Sequence, residues 1–173
     1  DALLTLAQNR RSVRSYTGER IPCETMEKML NVAMLVPSSY GQNPVEFVVV
    51  EDSRELSALA DCKRIGAPSV RQSAATVVVM ADTAKGELWV EDGSVAATYL
   101  LLAAEQYGIG ACWNQIHLRD GQRQSASREI CQLLGVPDRY EVIALVALGH
   151  KRSQPRPHTV EELDQRRIHY GKY

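Results

Sequence analysis

The chain has 173 residues, of which 45% are hydrophobic and 24% charged, and its formal net charge is −1. This length fits one ordinary domain with its own core, and the near-neutral charge argues against a general nucleic-acid binder. No apolar stretch approaches the roughly 20 residues that a membrane span requires. We therefore expect a single domain over residues 1–173 with no nucleic-acid and no membrane partner.

The N-terminal segment combines a short helix with a cluster of arginines. Residues 2–10 have the spacing of a helix, and continuing that period places Arg10 and Arg14 on the same side as the leucines. Arg10, Arg11, Ser12 and Arg14 lie within five residues, and guanidinium groups present planar forks of donors to phosphate oxygens. The segment therefore predicts an anion site. The structural alternative is a solvated, basic helix end.

A second helix and a polar loop follow. The helical period begins at Pro22 and ends at Pro37, and residues 37–44 (Pro-Ser-Ser-Tyr-Gly-Gln-Asn-Pro) then form a loop of small polar residues. These residue types are common in any connection between a helix and a strand. They also offer donors and acceptors suited to the polar edge of a ring or to a sugar-like chain.

The middle of the chain predicts buried strands alternating with helices. Continuous apolar runs at 45–50, 76–80 and 142–148 indicate buried strands, and 111–118 indicates a fourth. Short helices are expected around 56–60 and over 127–134. The segment 91–107 predicts a long helix that is apolar almost all round, which must be covered on every side by the core or by another subunit. The fold class is α+β or α/β.

The stretch Gly108-Ile109-Gly110-Ala111-Cys112-Trp113-Asn114-Gln115 is a third candidate site segment. Small residues let a backbone approach a flat ligand closely, and an indole can pack beside it. Ordinary core packing would explain the same residues.

The cysteines and histidines suggest no side-chain chemistry. The four cysteines are widely spaced, without a C-x-x-C pair, so we expect four free thiols, a reducing compartment and no metal site. The four histidines are scattered, and no pairing of nucleophile and base is recognisable. We expect no catalytic side chain, a cofactor that performs any redox reaction, and a cytoplasmic location.

Taken in order, these segments resemble the nitroreductase family of FMN-dependent oxidoreductases, in particular its short members. The resemblance rests on R-R-S-x-R at 10–14, P-S-S-x-x-x-x-P at 37–44, E-D-x-S-x-A-A at 91–97, G-x-G-x-C-W at 108–113 and A-L-G at 147–149. It spans nearly the whole chain. No single motif is specific, but five at the family spacing are.

The resemblance implies an α+β homodimer, with a central, mostly antiparallel sheet surrounded by helices and a C-terminal arm (151–173) on the partner subunit. It implies FMN at the subunit interface, with Arg10, Ser12 and Arg14 on the phosphate and ribityl chain. The flavin ring would meet Pro37, Ser38 and Ser39 of the opposite protomer and the backbone near Trp113, Asn114 and Gln115. The full set of cofactor-binding candidates is Arg10, Arg11, Ser12, Arg14, Pro37, Ser38, Ser39, Gly41, Asn43, Trp113, Asn114, Gln115, Lys151 and Arg156.

Some positions depart from the family pattern. Many members carry Asn where Gly41 stands and Gln where Asn43 stands, and Gly or Glu where Gln115 stands. Either Lys151 or Arg156 is the basic residue expected to join the phosphate. The function implied is NADH- or NADPH-dependent reduction of a small electron-poor acceptor, such as a nitroaromatic or a quinone, by a ping-pong mechanism. The alternative is a flavin-binding or redox-sensing module without efficient turnover.

Overall fold

The computed structural model of the protein describes residues 1–173 and contains one four-stranded antiparallel sheet of order β1-β2-β4-β3. The strands are β1 (Val45–Val50), β2 (Ala75–Asp82), β3 (Ile109–Gln115) and β4 (Tyr140–His150). Every residue of β2 is buried, as are nine of the eleven residues of β4. The expected α+β fold with a mostly antiparallel sheet is confirmed, and the two central strands are longer than the apolar runs alone indicate.

Helices cover both faces of this sheet, which explains why its central strands read as continuous apolar runs. The helices are α1 (Ala2–Asn9), α2 (Cys23–Met34), α3 (Ser53–Asp61), α4 (Pro68–Arg71), α5 (Trp89–Gln106) and α6 (Ala126–Leu134). Along β2, Val77 and Val79 pack with α2 and α5, whereas Val78 packs with α3 and α6. No helix is both long and apolar enough to cross a membrane.

The long helix α5 lies close against the sheet. A Cβ atom at Gly93 would lie 2.6 Å from the side chain of Ile143, so glycine at this position permits the approach of α5 to β4. The opposite side of α5 is open within one chain, since Tyr99 is 39% exposed and Leu102 is half-buried. The sequence predicts that α5 is covered on every side, and within a single subunit this cover is incomplete.

The segment after α1 differs from the sequence prediction. The helix ends at Asn9, and Arg10 already has an extended backbone. Ser12 forms a parallel bridge with Ala111, and Tyr16 an antiparallel bridge with Lys151. The prediction that Arg10 and Arg14 share a helical face with the leucines is wrong, because this stretch pairs with the sheet.

Two glycines of the sheet make that pairing possible. A Cβ atom at Gly110 would lie 2.8 Å from the side chain of Val13, and one at Gly149 would lie 2.7 Å from the ring of Tyr16. Val13 and Tyr16 are buried in these positions. The space over Gly110 is thus filled by the chain itself, so this glycine does not provide the close approach to a flat ligand that the sequence suggested.

The C-terminal segment (151–173) contains two short 3-10 turns, at Val160–Glu162 and Gln165–Arg167. Its first part lies against α1, where the backbone N–H of His158 donates to the carbonyl of Gln8 at 2.9 Å. Its last part is exposed, including Tyr170 and Tyr173. Placement of this arm on a partner subunit stays a prediction.

Candidate functional site

The arginine segment runs along the outer edge of β3, the last strand of the sheet. The backbone N–H of Val13 donates to the carbonyl of Ala111 at 2.9 Å, so the peptide groups of Ala111 point away from β4. In an antiparallel strand this direction recurs at every second residue. The peptide groups of Trp113 and Gln115 therefore lie on the free edge, where no other strand pairs with them.

The side chains of the arginine segment alternate between two sides. In extended backbone successive side chains point to opposite sides, and Val13 points into the core. Arg10, Ser12 and Arg14 consequently share the outer side. None of their side chains makes a hydrogen bond or an ion pair within the chain. Two guanidinium charges and a hydroxyl group are thus free to bind an anion.

Arg11 has a different role from its neighbours. Its guanidinium donates to the backbone carbonyl of Arg156, which ties the start of the C-terminal segment to the N-terminal segment. Arg11 is a candidate cofactor ligand, but the structure gives its guanidinium a partner within the chain, at an exposed backbone carbonyl.

The two basic candidates after β4 are also paired. The Lys151 ammonium lies 2.7 Å from a carboxylate oxygen of Glu105, and these side chains are only 10% and 11% exposed. The guanidinium of Arg156 forms an ion pair with Glu162 at the surface. A contact of either residue with a phosphate stays a prediction and requires that its present carboxylate partner share it.

The loop at 37–44 is held by its own polar side chains. The Ser38 hydroxyl accepts from the Asn43 backbone N–H at 3.0 Å and donates to its side-chain oxygen at 3.1 Å. The amide nitrogen of Asn43 donates to the carbonyl of Gly41 at 3.2 Å. Tyr40, Gly41 and Asn43 have positive φ angles of 51°, 65° and 47°. This tight turn leaves Tyr40 almost fully exposed.

Asp92 belongs to the E-D-x-S-x-A-A motif, but the sequence analysis assigned it no role in this region. Its carboxylate, on the first turn of α5, accepts the backbone N–H of Ser39 at 2.9 Å, and the residue is 8% exposed. The N-terminal end of a helix favours negative charge at this position. The available signal was a lone carboxylate on the otherwise apolar inner face of α5.

The side chains at the end of β3 are bonded within the chain. The side-chain oxygen of Asn114 accepts from Ser69 at 3.0 Å, and its nitrogen donates to the carbonyls of Cys112 and Leu145 at 3.2 and 3.3 Å. The Trp113 indole donates to the Gln115 side chain at 2.9 Å. Of the three predicted residues, Asn114 thus has only backbone groups to offer a ligand.

Lys63 is a second residue that sequence reasoning missed. Partial burial and the positive charge of Arg119 lower the pKa of Lys63, and the nearby Cys112 thiol opposes this shift. The ammonium forms no hydrogen bond or ion pair, and Lys63 and Arg119 line a cavity of about 290 Å³. An unpaired cation therefore lies beside β3. No spacing in the sequence links it to that strand.

The assembled site contains binding groups but no acid–base pair. Tyr16 lies two residues after Arg14, and burial raises the pKa of its phenol. Its hydroxyl donates to the Val13 carbonyl at 2.6 Å, so the phenol is structural. An anion site, outward peptide groups and an unpaired ammonium suit a charged, flat cofactor whose own chemistry performs the reaction.

Comparison with known proteins identifies the family. The sequence model of the nitroreductase family matches residues 7–92 and 89–150. The chain belongs to the nitroreductase family. A protein of Archaeoglobus fulgidus, provisionally named an NADH dehydrogenase/NAD(P)H nitroreductase, is 34% identical over 175 residues, which cover 98% of both chains.

Solved structures of nitroreductases agree with this assignment. The FMN-dependent nitroreductase of Clostridium difficile R20291 superimposes with a TM-score of 0.94 at 31% identity, over 98% of this chain and 99% of that one. A Bacteroides thetaiotaomicron protein, provisionally named an NADH dehydrogenase/NAD(P)H nitroreductase, gives 0.90 at 28% identity, over 100% and 99%. The predicted family and the predicted fold are both confirmed.

Proposed function

We propose that this nitroreductase binds FMN and transfers electrons from NADH or NADPH to a small electron-poor acceptor, such as a nitroaromatic or a quinone. The observation that carries the proposal is the outer side of the arginine segment, where Arg10, Ser12 and Arg14 have no partner in the chain. The oxidoreductase class is that of the family. Relatives named as FMN-dependent or as NAD(P)H nitroreductases support this choice of cofactor and donor.

The residues present fit FMN. Its phosphate carries the negative charge that the unpaired guanidinium groups of Arg10 and Arg14 require, and the Ser12 hydroxyl between them can donate to the phosphate or the ribityl chain. Beyond the segment, the outward N–H groups of Trp113 and Gln115 suit the nitrogen and carbonyl edge of a ring system. These residues would hold the phosphate end and the ring end in one line along β3.

Hydride uptake from the nicotinamide and electron delivery to the acceptor are the chemistry that FMN supplies when bound. The protein contributes orientation and electrostatics. The edge of β3 would orient the ring, because Asn114 is bonded to Ser69 and to two backbone carbonyls and so holds this part of the strand in place. The unpaired ammonium of Lys63, near Cys112 of β3, would favour negative charge on a ring bound at this edge. Donor and acceptor would use the same space in turn, as a ping-pong mechanism requires.

We infer further that the active form is a homodimer. An apolar groove of about 450 Å³ lies between α1, α2 and α5, and it is lined by Leu3, Leu6, Val32, Tyr99, Leu102, Ala103, Gln106 and Tyr107. Seven of these eight residues are hydrophobic. A second copy of the chain would cover this surface, complete the surroundings of α5 and bring its loop at 37–44 to the flavin.

A flavin-binding or redox-sensing module without efficient turnover is the second candidate. The observation that favours it is the loop at 37–44, where both ends of the Asn43 amide are bonded to Ser38 and Gly41. An amide held in this way has one N–H and one lone pair left and a fixed orientation, which restricts how it can bond to a flavin. The free thiols of the chain fit a reducing compartment, so we place either form in the cytoplasm.

Two measurements test the proposal. Titration of FMN into the purified apoprotein should quench flavin fluorescence with a stoichiometry of one per chain, and lack of binding would refute the proposed function. Stopped-flow mixing of the holoprotein with NADH or NADPH then separates the two candidates. Rapid loss of the flavin absorbance supports the enzyme, whereas a flavin that stays oxidised supports the sensing module.

A further inference from the structure

A series of contacts, one of them through the His117 backbone carbonyl, joins the end of β3 to the start of α5. The Trp113 indole N–H donates to the side-chain oxygen of Gln115 at 2.9 Å, and the nitrogen of that side chain donates to the His117 carbonyl at 2.9 Å. The His117 ring packs edge-to-face on Trp89, with centroids 5.0 Å apart. Both indoles also contact one small core cluster (Ala81, Ile143 and Ala144).

These contacts allow only one orientation of the Gln115 amide. An indole N–H is solely a donor and a backbone carbonyl solely an acceptor, so the amide must direct its oxygen to Trp113 and its nitrogen to His117. If the amide were flipped, its nitrogen would face the Trp113 indole N–H, donor against donor, and its oxygen would face the His117 carbonyl, acceptor against acceptor. The indole is thereby fixed in one rotamer, although Trp113 is only partly buried.

We propose that Gln115 is a positioning residue that sets acceptor specificity by holding the Trp113 indole. The inference rests on the proposed function, because the backbone of these two residues forms the free edge of β3 that would meet the flavin ring. A fixed indole at this edge gives the acceptor space a constant width. A mobile indole would change the fit of large acceptors more than that of small ones.

The role predicts a separation between acceptors of different size. The Gln115 backbone N–H belongs to the proposed ring-binding edge, so the rate of flavin reduction by NADH is measured for each variant and the acceptor KM values are compared at equal fractions of reduced flavin. The KM of a bulky quinone should change at least threefold when the amide is removed, while the KM of a small quinone changes less. A merely structural loss would lower stability and affect all acceptors alike.

The chain has two tryptophans, so Trp89→Phe leaves Trp113 as the single indole and retains a ring against His117. In this background we compare Gln115→Leu, Gln115→Met and Gln115→Glu with the parent by time-resolved fluorescence anisotropy. The two apolar variants should show a fast local motion of the indole that the parent lacks. Glu keeps the acceptor oxygen for the Trp113 indole but turns a second acceptor toward the His117 carbonyl, so its anisotropy decay and its KM for the bulky quinone should lie between those of the parent and the apolar variants.

Each outcome has a distinct meaning. Unchanged anisotropy in the folded Leu and Met variants would overturn the positioning role, even if NADH reduces the bound FMN at the normal rate. A mobile indole with equal KM changes for small and bulky quinones would overturn the specificity role. Failure of the parent protein to bind FMN would overturn the proposed function itself, and this inference with it.

Discussion

Replacement of Arg14 by alanine should weaken FMN binding far more than replacement of Arg11. Arg14 lies on the outer side of the extended segment and has no partner, whereas Arg11 donates to the Arg156 carbonyl within the chain. A hydrogen bond to a charged group contributes about 1.5–3 kcal/mol. Loss of one such contact to the phosphate raises Kd roughly 10- to 150-fold.

Arg11→Ala removes a nearby charge but no ligand contact, and a screened surface interaction of this kind is worth less than about 1 kcal/mol. We therefore expect its Kd to rise less than about fivefold. The assay is quenching of FMN fluorescence at fixed ionic strength. Arg14→Lys is the matched control, since it retains the charge but loses the planar fork, and its Kd should be intermediate.

Two results would refute this reasoning. Equal Kd values for Arg11→Ala and Arg14→Ala would show that the alternation of side chains does not decide which arginine binds the phosphate. A large drop in the melting temperature of Arg14→Ala without FMN would show that this arginine has a structural partner. The exposed, unpaired side chain predicts that the apoprotein melts normally.

The remaining predictions concern stability. Asp92→Ala should lower the free energy of unfolding by about 1.5–3 kcal/mol and weaken FMN binding, because the loop at 37–44 loses the hydrogen bond that holds it. Asp92→Asn retains an acceptor, so its loss of unfolding free energy in a urea titration should be smaller. Lys151→Met should lower the free energy of unfolding by about 3–5 kcal/mol, because it leaves Glu105 buried and unpaired. The double variant Lys151→Met/Glu105→Leu should recover most of this loss. A double variant no more stable than the single one would contradict the proposed energetics of the pair. The Arg123 backbone N–H holds the pKa of Glu129 below its ordinary value of 4.5, so its stabilising effect is complete above that pH and is lost as the pH falls through the lowered pKa. The melting temperature of Glu129→Gln should therefore fall less than that of the parent between pH 7 and pH values below 4.5, and parallel falls would be inconsistent with the lowered pKa.

The sequence was sufficient to predict those elements whose type depends on a single hydrophobic pattern. The apolar runs of β1, β2 and β4 are rich in valine, and each forms a strand as predicted. Burial is confirmed for the central strands β2 and β4, whereas β1 lies at the edge of the sheet and only Val50 of its six residues is buried. The helical face predicted for Arg10 and Arg14 is wrong, although a spacing of four residues suits one side of an extended segment as well as a helix face. What decides between them is the contact of Val13 with Gly110, nearly 100 residues away.

The parts that were missed depend on contacts distant in sequence. The four-residue helix α4 is too short to show a period. The bond from Ser39 to Asp92 spans 53 positions, and the ammonium of Lys63 lies near β3 only because α3 packs against the sheet. Pairings of this kind leave no local pattern in a single sequence.

The most direct test of the central claim is anaerobic single-turnover reduction of the FMN-loaded protein. One equivalent of NADH or NADPH is added first, and a quinone or nitroaromatic is added after the nicotinamide has been removed. We predict that the flavin absorbance disappears in the first step and returns in the second without further donor. Absorbance that does not change with either nicotinamide, or that does not return with any acceptor, would contradict it.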